Sequence, residues 1–239
     1  MSIKLNFVPN VKWGLEDNKL FETGIDCGVV YWGNITRAWD GLVSVDDIIS
    51  GGEFKPFYYE GKRLYTDVSN TETELKVTSY TYPKDFDTRF GYISLPDIPG
   101  FVATNQNSGT FNMTYRTLIG NGAVGADFAY KIHLLYNCVC LRSDRTYETV
   151  NADPELDTFE FSINTAPDMS ISGTESGHYI LDSRYVSTPA LNKFLKQLYG
   201  SGSIRGKMLP ANQMYEIIKT ALSSGFGFGP YGNTKFGAS

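Results

Sequence analysis

The chain of 239 residues is 41% hydrophobic and 14% aromatic, with 16 Tyr and 15 Phe, enough apolar mass for a buried core and a composition suited to strands and contact surfaces. Its net charge of −5 argues against a tight grip on nucleic acid, which needs a basic patch to neutralise phosphates. No run of about 18 apolar residues could span a bilayer, and the start MSIKLNFVPN lacks the apolar core of a secretory signal, so the chain reads as soluble and intracellular when made.

Residues 1–18 read as an N-terminal arm. Ile3, Leu5 and Phe7 alternate with Lys4 and Asn6 until Pro9 breaks the run, which predicts a short edge strand or a segment that docks elsewhere. A single β domain over 19–222 follows. Its first strands are expected at Lys19–Glu22 and Gly28–Trp32, where Val29, Val30 and Tyr31 form a compact run.

From Thr36 to Asn70 periodicity weakens, and residues 36–70 read as a long projecting loop. Within it, Glu53–Tyr59 and Lys62–Tyr65 flank Glu60-Gly61 and predict a hairpin presenting Phe54, Phe57, Tyr58, Tyr59 and Tyr65. Those rings either mark a contact surface or cap the main core. Glu72–Tyr82 alternates as a strand ended by Pro83, and Lys84–Ser108, punctuated by Pro96, Pro99, Gly91 and Gly100, reads as loop with brief extended pieces.

The strongest β signal follows. Phe111, Met113 and Tyr115 alternate with polar residues over Thr110–Thr117, and the even positions Phe128 to Cys140 form one apolar face. Gly120, Gly122 and Gly125 between them suit a hairpin reversal. They also spell G-x-G-x-x-G, but that pattern holds a dinucleotide only where a helix follows the glycines, and here a strand follows. Further strands are expected at Thr146–Val150, Phe159–Ile163 and Tyr179–Leu181.

The period becomes helical only late. Thr188 can cap, Pro189 suits the first position, Leu191, Phe194, Leu195 and Leu198 make one stripe, and Gly200 can end the helix. A second helix is expected over Ala211–Leu222. Residues 223–239 form a glycine-rich arm with Phe226, Phe228, Tyr231 and Phe236, expected to order against a neighbour.

Little in the sequence points to catalysis, and no enzyme activity, cofactor or metal is expected. The histidines are His133, expected on a sheet surface, and His178, expected in a loop; neither sits in a nucleophile motif. The paired acids Asp46-Asp47, Asp85-Asp87 and Asp153-Glu155 lack the spacing of a calcium loop. The three cysteines read as buried thiols from a reducing site of synthesis, since Cys138 and Cys140 are too far apart along a strand for an easy disulfide and no Cys-x-x-Cys pair appears.

Several segments, in order, carry a family resemblance: Trp39-Asp40-Gly41-Leu42 with Val45, Tyr80-Thr81-Tyr82-Pro83 with Phe86, Tyr115-Arg116-Thr117, Ile119-Gly120-Asn121, Gly125, Asp127, Tyr130 to Leu134 with Tyr136, and a late helix before Leu198-Tyr199-Gly200. Over roughly Leu20 to Pro210 the chain resembles the major tail proteins of long-tailed bacteriophages, the subunits of the tail tube. The resemblance implies two packed antiparallel β-sheets flanked by one or two helices, with a long projecting loop and terminal arms. It also implies hexameric rings stacked into a hollow tube that conducts the viral genome.

On that reading the chain is made in the bacterial cytoplasm and ends in the virion. Its partners are itself, the tape measure, tail terminator and distal tail proteins, and viral DNA in passage; no membrane is involved. Ring-to-ring contacts would come from Trp39, Asp40, Leu42, Phe54, Phe57, Tyr58, Tyr59 and Tyr65, and locking contacts from Ile3, Leu5, Phe7, Phe226, Phe228, Tyr231 and Phe236. Six copies at −5 give about −30 per ring, so phosphates would slide past the wall. A non-catalytic β-sandwich module binding carbohydrate or a host surface, or a related virion component such as a distal tail or capsid decoration protein, would also fit the composition.

Overall fold

The computed structural model describes residues 19–51, 54–68, 71–98, 100–143 and 157–223. Six strands come first: β1 (Leu20–Trp32), β2 (Ile35–Ala38), β3 (Leu42–Gly51), β4 (Phe54–Tyr59), β5 (Lys62–Val68) and β6 (Thr71–Ser79). A 3-10 turn over Lys84–Arg89 leads to the short β7 (Ile93–Ser94) and β8 (Val102–Ala103), then the long β9 (Phe111–Asn121) and β10 (Gly125–Arg142). The chain continues through β11 (Phe159–Asn164), β12 (His178–Asp182), α1 (Thr188–Tyr199), β13 (Gly200–Ser201), β14 (Ile204–Arg205) and α2 (Ala211–Ser223). The fold is mainly β, as the alternation predicts. No helix among the described residues is long and apolar enough to cross a membrane.

Strand order β2-β1-β9-β10-β11-β6-β3 runs through one antiparallel sheet, with β12 also paired to β10. β10 is shared by two halves: Lys131–Leu135 pair with β12, while Val139–Arg142 pair with β11. The first half is therefore β2, β1, β9, β10 and β12, and the second is the end of β10 with β11, β6 and β3. One core lies between the halves, built from Val30, Met113, Leu135, Cys138, Cys140, Leu75, Val77, Phe161 and Ile163 around Trp39 and Phe86. The other lies between the first half and the helices, where Tyr31, Ile132, Leu134 and Tyr136 meet Phe194, Leu198 and Met214.

Because its first half is covered on both faces, β10 does not keep one apolar face. Asn137 takes φ 49°, and the register with β9 slips by one residue between Leu135 and Cys138. This bulge reverses the phase of the strand: Ile132, Leu134 and Tyr136 face the helices, whereas Cys138 and Cys140 join Leu135 in the other core. The Asn137 amide Nδ2 donates to the Pro167 carbonyl at 3.0 Å, and its backbone N–H donates to Asn112 Oδ1 at 2.9 Å. The even-position face expected for this strand thus ends at Tyr136, and His133, expected at a surface, is only 7% exposed.

β1 is one strand where two were expected, bulged at Gly24 and Cys27. Gly28 beside the second bulge accepts from Trp39 N–H at 2.8 Å, and a Cβ there would lie 2.4 Å from Leu42 Cδ1. Only glycine lets the chain after β2 approach so closely. At the β9–β10 tip, Gly125 alone of the three hairpin glycines has positive φ; Gly120 lies within β9 under the ring of Phe21, its cross-strand partner.

β3 was not expected as a strand. His178, expected in a loop, begins β12, one residue before the predicted strand. The expected strand at 146–150 and the acids Asp153 and Glu155 lie outside the described residues, as do residues 1–18 and 224–239; Ser223, expected to open the C-terminal arm, ends α2 instead. Of the three thiols, Cys138 and Cys140 are buried and free, but Cys27 is exposed and free, which corrects the expectation for that residue.

The late helices follow their stripes. In α1, Ala190, Phe194 and Leu198 are buried while Lys193 and Lys196 are exposed. The cap is Ser187, one residue earlier than expected, and it makes no side-chain capping bond. Gly200 at φ 86° ends the helix. α2 is capped from a distance, by Asp168 Oδ2 accepting the Ala211 N–H at 2.7 Å.

Candidate assembly surfaces

The residues expected at ring contacts divide into two groups. Trp39 is not a contact residue: it is 2% exposed, its ring lies 5.0 Å from Phe86 and 5.2 Å from Phe161, and its Nε1–H donates to the Thr81 carbonyl at 2.8 Å. Leu42 is half-buried and packs on the same core. Both belong to the turn that brings β3 back beside β1, where the apolar interior outcompetes a surface role. Asp40 between them is exposed, with its carbonyl accepting the Thr81 hydroxyl at 2.6 Å.

The hairpin is placed differently. β4 and β5 pair only with one another, as a separate two-stranded sheet between β3 and β6. Tyr58 and Tyr59 are each 66% exposed, and Phe57 is also among the exposed large apolar residues. The side chains of Phe54 and Tyr65 lie outside the described residues, as do Ile3, Leu5, Phe7, Phe226, Phe228, Tyr231 and Phe236. A second exposed apolar group, Leu95, Ile98 and Phe101, sits on the β7–β8 excursion, and nothing in the sequence pattern distinguished it from ordinary loop.

The second half-sheet has one dry and one wet face. Leu75, Val77, Phe161 and Ile163 point into the core. By cross-strand register the other face carries Asp46, Ile48, Glu74, Lys76, Glu160, Val139 and Leu141. Its described charges are three carboxylates and one ammonium, with Lys76 bridged to Glu160 at 2.9 Å.

Its edges are open as well. Among the described residues no strand pairs with the outer side of β3, nor with the β9 side of β10 beyond Cys138. The bond from Thr165 N–H to the Thr73 carbonyl, 3.4 Å, sets the alternation along β6, and through the β6–β3 register it turns the N–H groups of Val45, Asp47 and Ile49 outward.

Two cations of the β9–β10 hairpin, Arg116 and Lys131, are neutralised. Arg116 Nε donates to Asp26 Oδ1 at 2.6 Å, its Nη2 reaches the other oxygen, and the guanidinium lies over Tyr130 at 4.7 Å. That hydrogen-bonded guanidinium holds the Asp26 carboxyl below its usual range. Lys131 pairs with Glu22. Beside Asp26, burial pushes the Cys27 thiol up, so it is no thiolate nucleophile at neutral pH.

Of the paired acids, Asp85 accepts Arg37 Nη2 at 2.7 Å, and burial raises the Asp87 carboxyl. Among the described residues no group of three or more His, Cys, Asp or Glu is placed to hold a metal ion. The two histidines, distant in sequence, are in contact: His133 Nδ1 lies 3.0 Å from His178 Nε2. Comparison of the chain with protein-family models and with curated proteins finds no match in either.

Proposed function

We propose that this chain is the structural subunit of a bacteriophage tail tube, self-assembling into stacked hexameric rings that conduct the viral genome. The observation that carries the reading is the second half-sheet, which among the described residues has a wet, net acidic face and two open edges. β3, β6, β11 and β10 are antiparallel in succession, so β10 runs opposite to β3. Joining the end of β10 in one copy to β3 of the next therefore continues the same alternation. The contact is head-to-tail, the kind that propagates around a ring, and it removes edges that would otherwise invite aggregation.

The wet face then becomes the wall of the lumen. Asp46, Glu74 and Glu160 outweigh Lys76 there, which favours DNA passing without adhering. The β4–β5 hairpin leaves this sheet between β3 and β6, and its exposed tyrosines suit contact with the next ring. The resemblance supplies the ring order and the virion setting; the open edges and the charge of the wet face support them from the molecule itself.

Electron microscopy of the concentrated protein tests the reading, with stacked rings expected. Ile49→Pro removes an outward N–H and no ladder bond to β6, so it should leave the subunit folded and abolish rings. Rings from Ile49→Pro indistinguishable from wild type would overturn the edge pairing. A persistent monomer that binds glycan would favour a carbohydrate-binding module instead.

A further inference from the structure

Four side chains from four strands form a single line where the two half-sheets meet. Thr117 Oγ1 on β9 is 3.1 Å from His133 Nε2 on β10. His133 Nδ1 is 3.0 Å from His178 Nε2 on β12, and His178 Nδ1 is 3.6 Å from Asp47 Oδ2 on β3. The His133 ring lies flat on Tyr115, centroids 4.3 Å apart and planes 8° from parallel. The Asp47 end is open to water, its side chain 43% exposed against 8% for His178, and Thr117 at the other end is half-buried.

Two neutral arrangements of protons are conceivable, and one is favoured. In it the Thr117 hydroxyl donates to His133 Nε2, His133 Nδ1–H donates to His178 Nε2, and His178 Nδ1–H points at the Asp47 carboxylate. The reverse would leave the bare Nδ1 lone pair of His178 facing that carboxylate.

One added proton makes the reversed line complete. His178 then carries N–H at both nitrogens, Nδ1–H toward Asp47 and Nε2–H donating to His133 Nδ1, while His133 Nε2–H donates to Thr117 Oγ1. A second proton has no place, because it sets N–H against N–H across the gap between the rings.

We propose that this line is a proton-operated fastener between the two half-sheets: it holds with no added proton or with one, its donors reversing on the first, and it parts at β12 when a second is forced on. The charged and titratable groups around it are Asp47 from β3, Tyr115 from β9, Lys131 on β10 with its partner Glu22 on β1, and Asp182 at the end of β12 opposite Lys131. Burial, then His178 and Lys131, hold His133 down at about 3. Burial also lowers His178, but Asp47 opposes the shift, so the first proton settles there.

Both rings thus sit below the free-imidazole value of about 6.5. The folded state binds fewer protons than the unfolded one, so stability is complete above that value and falls as pH drops toward the folded values. The fall is up to about tenfold in the folded-to-unfolded ratio per pH unit for each ring. No second copy of the chain is needed, so the fastener stands apart from the assembly proposed above.

The decisive measurement is nitrogen NMR of the imidazoles in the wild-type protein from about pH 8 to pH 4, a range spanning the free-imidazole value. His178 should take up the first proton below that value, and the proton on His133 should move from Nδ1 to Nε2 in the same step. Independent titration of both rings near the free value, with no tautomer exchange, overturns the proposal.

Urea midpoints against pH give the second readout. Asp47→Asn should shift the acid loss of stability to higher pH, because the first proton loses its counter-ion. His133→Gln combined with His178→Gln should flatten the fall in that window. Unchanged profiles in both variants overturn the proposal, and if the double variant does not fold, the wild-type titration and Asp47→Asn decide.

Discussion

Trp39 and the hairpin tyrosines should respond to substitution in opposite ways. Trp39→Ala removes a ring that is 2% exposed and packed against Phe86 and Phe161; truncations of this kind cost about 3–5 kcal/mol. It also strips the Thr81 carbonyl of its indole donor. At about 4 kcal/mol, a chain of this size should lose roughly 8–16 °C in Tm, read by circular dichroism. Trp39→Phe keeps most of the ring and loses the hydrogen bond, for a smaller cost of about 1 kcal/mol or somewhat more.

Tyr58→Ser with Tyr59→Ser should change stability by less than about 1 kcal/mol, as expected for two exposed positions, and should impair ring stacking seen by electron microscopy. A wild-type Tm for Trp39→Ala together with lost stacking would refute this division, because it would put the indole at an interface. An equal loss of stability and stacking in the tyrosine variant would place those rings in the core.

Two further outcomes are expected. Asn137→Ala should destabilise by roughly 1–2 kcal/mol, since φ 49° disfavours a Cβ-bearing residue without a local polar contact, whereas Asn137→Gly should cost less; urea unfolding compares them. Removing residues 224–239 should leave α2 and the β domain folded but weaken stacking, and tubes of normal length from the truncated chain would exclude that role.

The parts of the fold legible in the sequence are those where one physical rule acts alone. α1 shows its stripe because one face meets the sheet and the other meets water. The β4–β5 hairpin announces itself through Glu60-Gly61, whose residues take φ 49° and 72°. β10 was half legible: its strand character survives, but alternation is a phase, and one inserted residue at Asn137 inverts that phase for everything downstream. β3 was hidden for a related reason. Ser44, Asp46 and Ile48 share its wet face with no apolar consistency, and Asp47, a charge, points into the interface between the half-sheets.

Trp39 was misassigned because an aromatic residue in a weakly periodic segment looks the same whether it projects or folds back. Only the backbone bond between Trp39 and Gly28 decides between them. His133 and His178 could not be joined from sequence, since 45 residues separate them and their contact depends on β12 returning to the edge of β10. The wet face with its acidic surplus needed the register of four strands before its charges could be assigned to one side.

The three thiols give the molecule a reporter of its own integrity. Cys27 is exposed, whereas Cys138 and Cys140 lie on the strand common to both half-sheets and are fully buried. An alkylating reagent should therefore consume one equivalent first, slowly at neutral pH because the Cys27 thiol is held up, and faster as the pH is raised. The remaining two react only when that strand leaves both of its neighbours, so their rate counts openings of the whole domain and ignores fraying at its margins.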